Sequence, residues 1–122
     1  MLVAVAVGLL VGDPQTVAAT GYKADRCGGG KILLIAKEKK AFVIHNRIRR
    51  RYHLPTFCVH PALEQVARRH SEDMIGRAYF SHETKGRDEG FAVRIRRFGY
   101  GDYRAVGENI ALGGNPIRII RA

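Results

Sequence analysis

The sequence predicts a mostly helical α+β domain, and three features point to it. Ala41, Ile44 and Ile48 recur at helical spacing within residues 36–52. Leu63, Val66, Ala67, His70 and Met74 form a second one-sided stripe, and Phe91, Ile95 and Phe98 a third, shorter one. Residues 103–111 alternate instead, with Val106, Glu108 and Ile110 on one face, and read as a strand.

From the N-terminus, Met1 to Val11 is an unbroken run of apolar and small residues. It is shorter than the roughly 20 apolar residues a membrane-spanning helix needs. Asp13-Pro14 ends it, and Val17-Ala18-Ala19 supplies small residues suited to a cleavage site. Residues 1–19 are therefore expected to be a secretion signal. No Lys or Arg precedes the run, so the alternatives are a start further upstream or a membrane-tethering remnant. A buried strand or helix of the mature domain is a further alternative, with little in the polar, Gly-rich stretch that follows to pack on.

Residues 20–36 read as a linker or N-terminal arm, with Gly28-Gly29-Gly30 inside it, and residues 37–122 as the domain. The first helix carries Lys37, Lys40, Arg47 and Arg51 on its outer face and ends at His53-Leu54-Pro55, because proline pushes the residue before it out of the helical region. Pro61 opens the second helix, where its missing N–H costs nothing. His70 falls on the buried stripe and reads as a core residue. A loop, 79–86, presents His82. Asp88 and Glu89 suit a helix start, Gly99 suits the cap after the third helix, and Tyr100 is placed to fold back on it. Asn115-Pro116 begins a last helix containing Ile117, Ile119 and Ile120. That helix has no stop signal, and the strand at 103–111 has no partner but the stretch Ile32–Ile35. The expectation is a domain whose C-terminal part is missing.

A chain of 122 residues makes one domain, and 46% apolar content is ordinary for a packed core. The formal charge of +10 is not ordinary. It favours anionic partners such as nucleic acid, acidic cell-wall polymers or an anionic membrane surface. The blander reading is a solvated basic surface, since only Arg47 and Arg49-Arg50-Arg51 cluster densely. Export would place Cys27 and Cys58 in an oxidising compartment, where one disulfide is expected. Two free thiols are the alternative. The pair alone falls short of a thiolate metal site.

Five strings, in order, resemble the CAP superfamily, the SCP-like domain of cysteine-rich secretory proteins, venom antigens and plant pathogenesis-related proteins, and the bacterial exported forms above all. His45-Asn46-Arg47-Ile48-Arg49 resembles the family's first-helix pattern. Leu63 through Ala67 to Ser71 and Met74 resembles its second helix. Tyr79-Phe80-Ser81-His82 resembles the loop presenting a cavity histidine, and Phe98-Gly99-Tyr100 the turn after the third helix. Gly107-Glu108-Asn109-Ile110-Ala111 resembles the string presenting a cavity glutamate. The resemblance implies an α/β/α sandwich, incomplete here, with a second cavity histidine, another acid and the last two strands missing. It implies cavity roles for His82 and Glu108, and supporting roles for Tyr79, Ser81, Asn109, His45 and Asn46.

Imidazole and carboxylate can bind a divalent cation or move protons near neutral pH. Zinc needs three or four ligands, and His82 with Glu108 offers two, so any metal affinity should be weak. A carboxylate on the apolar face at Glu108 should be hydrogen-bonded or paired with His82, or have a raised pKa. Ser81 adjoins His82 in sequence, where a nucleophile–base pair rarely forms. The expected function is a secreted, non-enzymatic binding domain for a lipid, a divalent cation or an anionic cell-envelope component. The alternatives are a metal-dependent hydrolase in a longer form, and a basic nucleic-acid-binding module.

Overall fold

The computed structural model of the chain describes residues 4–5 and 21–113. The expected secretion signal, apart from Ala4–Val5, and the expected last helix lie outside the described residues. In chain order the elements are β1 (Ala4–Val5), β2 (Tyr22–Asp25), β3 (Lys31–Leu34), α1 (Ala36–Arg51), α2 (Pro61–Gly76), α3 (Phe91–Arg97) and β4 (Glu108–Asn109). The class is α+β, with three helices and short strands among the described residues.

The stretch read as a Gly-rich linker is in fact a hairpin. β2 and β3 pair antiparallel, with Ala24 opposite Ile32 and Tyr22 opposite Leu34. Gly28, Gly29 and Gly30 all take positive φ, which lets the chain reverse between the strands. One face of the hairpin buries Ala24 and Leu34; α1 contacts both strands, and its Ala41 and Ile44 are buried as well. The Cys27–Cys58 disulfide ties the hairpin turn to the segment before α2. Backbone bonds flank it: Cys27 N–H donates to Val59 O at 2.9 Å, and Val59 N–H to Asp25 O at 2.8 Å.

Each helix starts and stops for a local reason. The Ile35 N–H donates to the Glu38 carboxylate at 2.9 Å, half of a capping box. Pro61 sits in the first turn of α2, and the His60 ring accepts from Ala62 N–H at 3.2 Å. All three helices end in the same six-residue closure, with His53, Ala78 and Gly99 in the left-handed region. In the last, Tyr100 N–H reaches Ile95 O at 3.1 Å, so Tyr100 folds back as the sequence suggests. It joins Phe91, Phe98, Tyr103 and Val106 around a core of Leu63, Val66 and Ile95.

Residues 103–111 depart from the strand reading. Only Glu108–Asn109 has strand geometry, and it pairs in parallel with Ala4–Val5 rather than with Ile32–Ile35. The alternation at 103–106 is still used. Tyr103 and Val106 pack on the α2–α3 core without a ladder, while β3 has its hydrogen bonds taken by β2. Alternation reports a buried face, and a loop can bury one as well as a strand can.

Candidate functional site

Three elements converge on Glu108. It sits on β4, its side chain is 4% exposed, and its two oxygens have different partners. Oε2 lies 2.8 Å from His82 Nδ1, and Oε1 accepts from Arg94 Nη2 at 2.8 Å. Val106 before it packs on the core, which carries the acid inward at the next position on that face.

Arg94 lies on α3, directly before the fully buried Ile95, and its side chain is 9% exposed. Its Nη1 donates to His82 O at 2.8 Å, to Glu89 O at 3.1 Å and to Thr84 Oγ1 at 3.3 Å. One guanidinium thus holds the carboxylate on one side and the histidine loop on the other. Its Nε is buried without a partner among the described residues. The loop is also closed by Thr84 N–H to Glu89 O at 3.0 Å. His82 itself faces outward, with its side chain 56% exposed.

The other residues named from the sequence have different partners. Ser81 Oγ accepts from Glu83 N–H at 3.0 Å, and its carbonyl accepts from His70 Nε2 at 2.9 Å. His70 is buried, as its stripe position requires, with Nδ1 unpartnered among the described residues. The Tyr79 hydroxyl donates to Asp73, and burial together with that bond raises its pKa. His45 Nδ1 meets Ala41 O at 2.8 Å, one turn back on its own helix. Asn46 bonds both backbone groups of Phe57. Asn109 is exposed on β4. His82 and Glu108 are therefore brought together, while Tyr79, His45 and Asn46 are bonded elsewhere.

Arg94 is the member that sequence reading missed, although two signals marked it. It follows Phe91 by three positions, at the edge of the buried face of its helix. An acid on an apolar strand face also needs a charge partner.

The arrangement does not fit a zinc site built from His82 and Glu108. The two groups bond to each other rather than opening toward a shared ion, and the second Glu108 oxygen is held by Arg94. Among the described residues, no group of three or more His, Cys, Asp or Glu could hold a metal. Zinc takes three or four such donors.

A second feature lies at the end of α1. No Asp or Glu occurs between Glu38 and Glu64, while Lys39, Lys40, Arg47, Arg49, Arg50 and Arg51 all fall there. Arg49 is occupied, stacking 3.9 Å from the Phe57 ring centroid. Arg47, Arg50 and Arg51 are exposed. Beside them Tyr52 is 68% and Leu54 49% exposed. Helix closures of this kind often bury the residue after the left-handed one against the last turn. Here that residue is Leu54, and its counterpart in the turn is Arg49, which packs on Phe57 instead.

The family model for CAP, the cysteine-rich secretory protein family, matches residues 43–120. That range includes His82, Arg94 and Glu108. No curated protein and no solved structure matches the chain.

Proposed function

From the premise that the chain belongs to the cysteine-rich secretory protein (CAP) family, we propose that it is an exported binding domain, non-enzymatic, that attaches to an anionic surface of the cell envelope. The observation that carries this reading is the exposed basic and apolar end of α1, in a stretch, 39–63, that contains no Asp or Glu. Arg47, Arg50 and Arg51 supply positive charge, and Tyr52 and Leu54 supply apolar tips beside it. Arginine draws a protein to anionic headgroups, and aromatic and aliphatic tips settle at the interface below them.

Export is supported by the Cys27–Cys58 disulfide, a bond that persists in oxidising compartments, and by the secretion-signal pattern at residues 1–19. On this reading the mature protein begins at residue 20, and the pairing of Ala4–Val5 with Glu108–Asn109 belongs to the uncleaved chain. No described helix is long and apolar enough to cross a membrane, so attachment would be peripheral.

The test is co-sedimentation of the purified chain with phospholipid vesicles. Retention on phosphatidylglycerol vesicles, absent on phosphatidylcholine and lost as salt rises, is expected. Equal retention on both, or none on either, overturns the proposal.

A further inference from the structure

We propose that Arg94 is a positioning residue which, through Glu108, fixes the proton of His82 on Nδ1. His82 then presents its other ring nitrogen, Nε2, outward as a hydrogen-bond acceptor. The inference concerns the His82 cluster alone and stands whether or not the α1 corner binds an envelope.

An ionised carboxylate only accepts hydrogen bonds. The 2.8 Å contact between His82 Nδ1 and Glu108 Oε2 therefore requires the proton on Nδ1. In a neutral imidazole the other nitrogen is then an acceptor. Such a nitrogen suits an alcohol O–H and disfavours the oxygens of a carboxylate or phosphate. Glu108 could swing away from His82 if it were free. It is not, because Arg94 Nη2 holds Oε1 at 2.8 Å, while Nη1 holds the His82 carbonyl at 2.8 Å. The same guanidinium sets the position of the acid and of the loop that carries the ring. Both side chains of the ion pair are nearly buried, at 9% and 4% exposed, so water competes little for either. The ring is the outward-facing member at 56%.

The arrangement makes an unusual demand on Glu108→Gln. The new side chain has one carbonyl oxygen and one amide NH2. The charged Arg94 takes the oxygen, which leaves the NH2 facing His82 Nδ1. Two donors cannot face each other, so the ring must move its proton to Nε2. The outward nitrogen then becomes a donor, and the preference turns from hydroxyl to carboxylate.

The experiment is long-range proton–nitrogen NMR on the labelled protein, at a pH where imidazole is neutral. In the unmodified protein, Nδ1 of His82 is expected to be protonated and Nε2 bare. In Glu108→Gln the two nitrogens should exchange their shifts. In Arg94→Met with Glu108→Gln the carbonyl is released, and the Nδ1–H form should return. Thr84→Val, which removes only the 3.3 Å contact to Arg94, should leave the tautomer unchanged. A purely structural Arg94 would alter stability without moving the proton. An Nε2–H form in the unmodified protein, or an Nδ1–H form surviving in Glu108→Gln, overturns the proposal. The first of these needs no variant, so a failure of Glu108→Gln to fold does not remove the test.

Discussion

Asn46 is bonded in both directions to the backbone of Phe57, eleven residues away. Its Nδ2 donates to Phe57 O at 3.0 Å, and its Oδ1 accepts from Phe57 N–H at 2.7 Å. The side chain is buried and does for the segment between α1 and α2 what a neighbouring strand would do. Asn46→Ala leaves the part-buried N–H and C=O of Phe57 without their side-chain partners. The expected loss is about 1–3 kcal/mol of unfolding free energy, at roughly 0.5–1.5 for each hydrogen bond lost. Urea denaturation with an unchanged slope reads it. A loss under about 0.5 kcal/mol would mean that water replaces the clamp without penalty.

Ala78 closes α2 with φ of 50°, a conformation in which its Cβ crowds the following carbonyl. The residue is exposed, so nothing is gained by keeping the methyl group. Ala78→Gly should therefore raise stability by about 0.5–1 kcal/mol, the relief of strain exceeding the extra entropy of glycine in the unfolded chain. Thermal melts of the two proteins decide it. A lower midpoint for Ala78→Gly would show that the left-handed turn is not kept in solution.

Asp73 gives a pH dependence of known sign. The Arg77 guanidinium, bonded to it one turn along α2, holds its carboxyl at about 2, below the usual 3.8. Burial pushes the other way, and the Tyr79 hydroxyl adds to the lowering. Between those two values the unfolded chain carries more protons than the folded one, so stability rises with pH. The contribution is complete above pH 3.8 and lost as pH falls through about 2. Asp73→Asn should flatten the stability curve in that window and nowhere above it. The Asp73 and Arg77 side chains are 33% and 41% exposed, so salt should shrink the difference. A difference that persists unchanged at pH 7 and high salt would assign the effect to packing instead.

The three described helices were legible because each carries an apolar stripe, and their bounds follow from Pro55, Pro61 and Gly99. The hairpin was hidden. Its strands are four residues each, and a triple glycine suggests slack until the two strands are seen to pair. At the site, His82 and Glu108 could be named because each stands in a recognisable string. Arg94 could not, since a chain with 21 Lys and Arg residues offers no way to tell a buried arginine from a solvated one by composition. What singles it out is its spacing, three positions after Phe91 and next to Ile95, which puts it at the edge of the buried face of α3. Tyr79 and Asn46 show the converse. Both lie in strings that suggest a site, and both are bonded to Asp73 and Phe57, where they hold the scaffold.

The corner at the end of α1 makes a claim about position that net charge alone does not. Each arginine near an anionic bilayer surface contributes roughly a fivefold gain in binding. Replacing Arg47, Arg50 and Arg51 together with Gln should therefore weaken retention on phosphatidylglycerol vesicles by about a hundredfold. Arg49 is left in place because it stacks on Phe57 and would report on folding. A second triple, Arg87, Arg96 and Arg104 to Gln, removes the same charge from exposed positions on α3 and in the loops on either side of it. If the corner is the contact, this control keeps most of the binding. Tyr52→Ser with Leu54→Ser keeps every charge and removes the two apolar tips, which are 68% and 49% exposed. That pair should lower the retention that survives in high salt, because apolar insertion is not screened. Equal losses from the two arginine triples would show that the whole basic surface, and not this corner, is what the vesicle attracts.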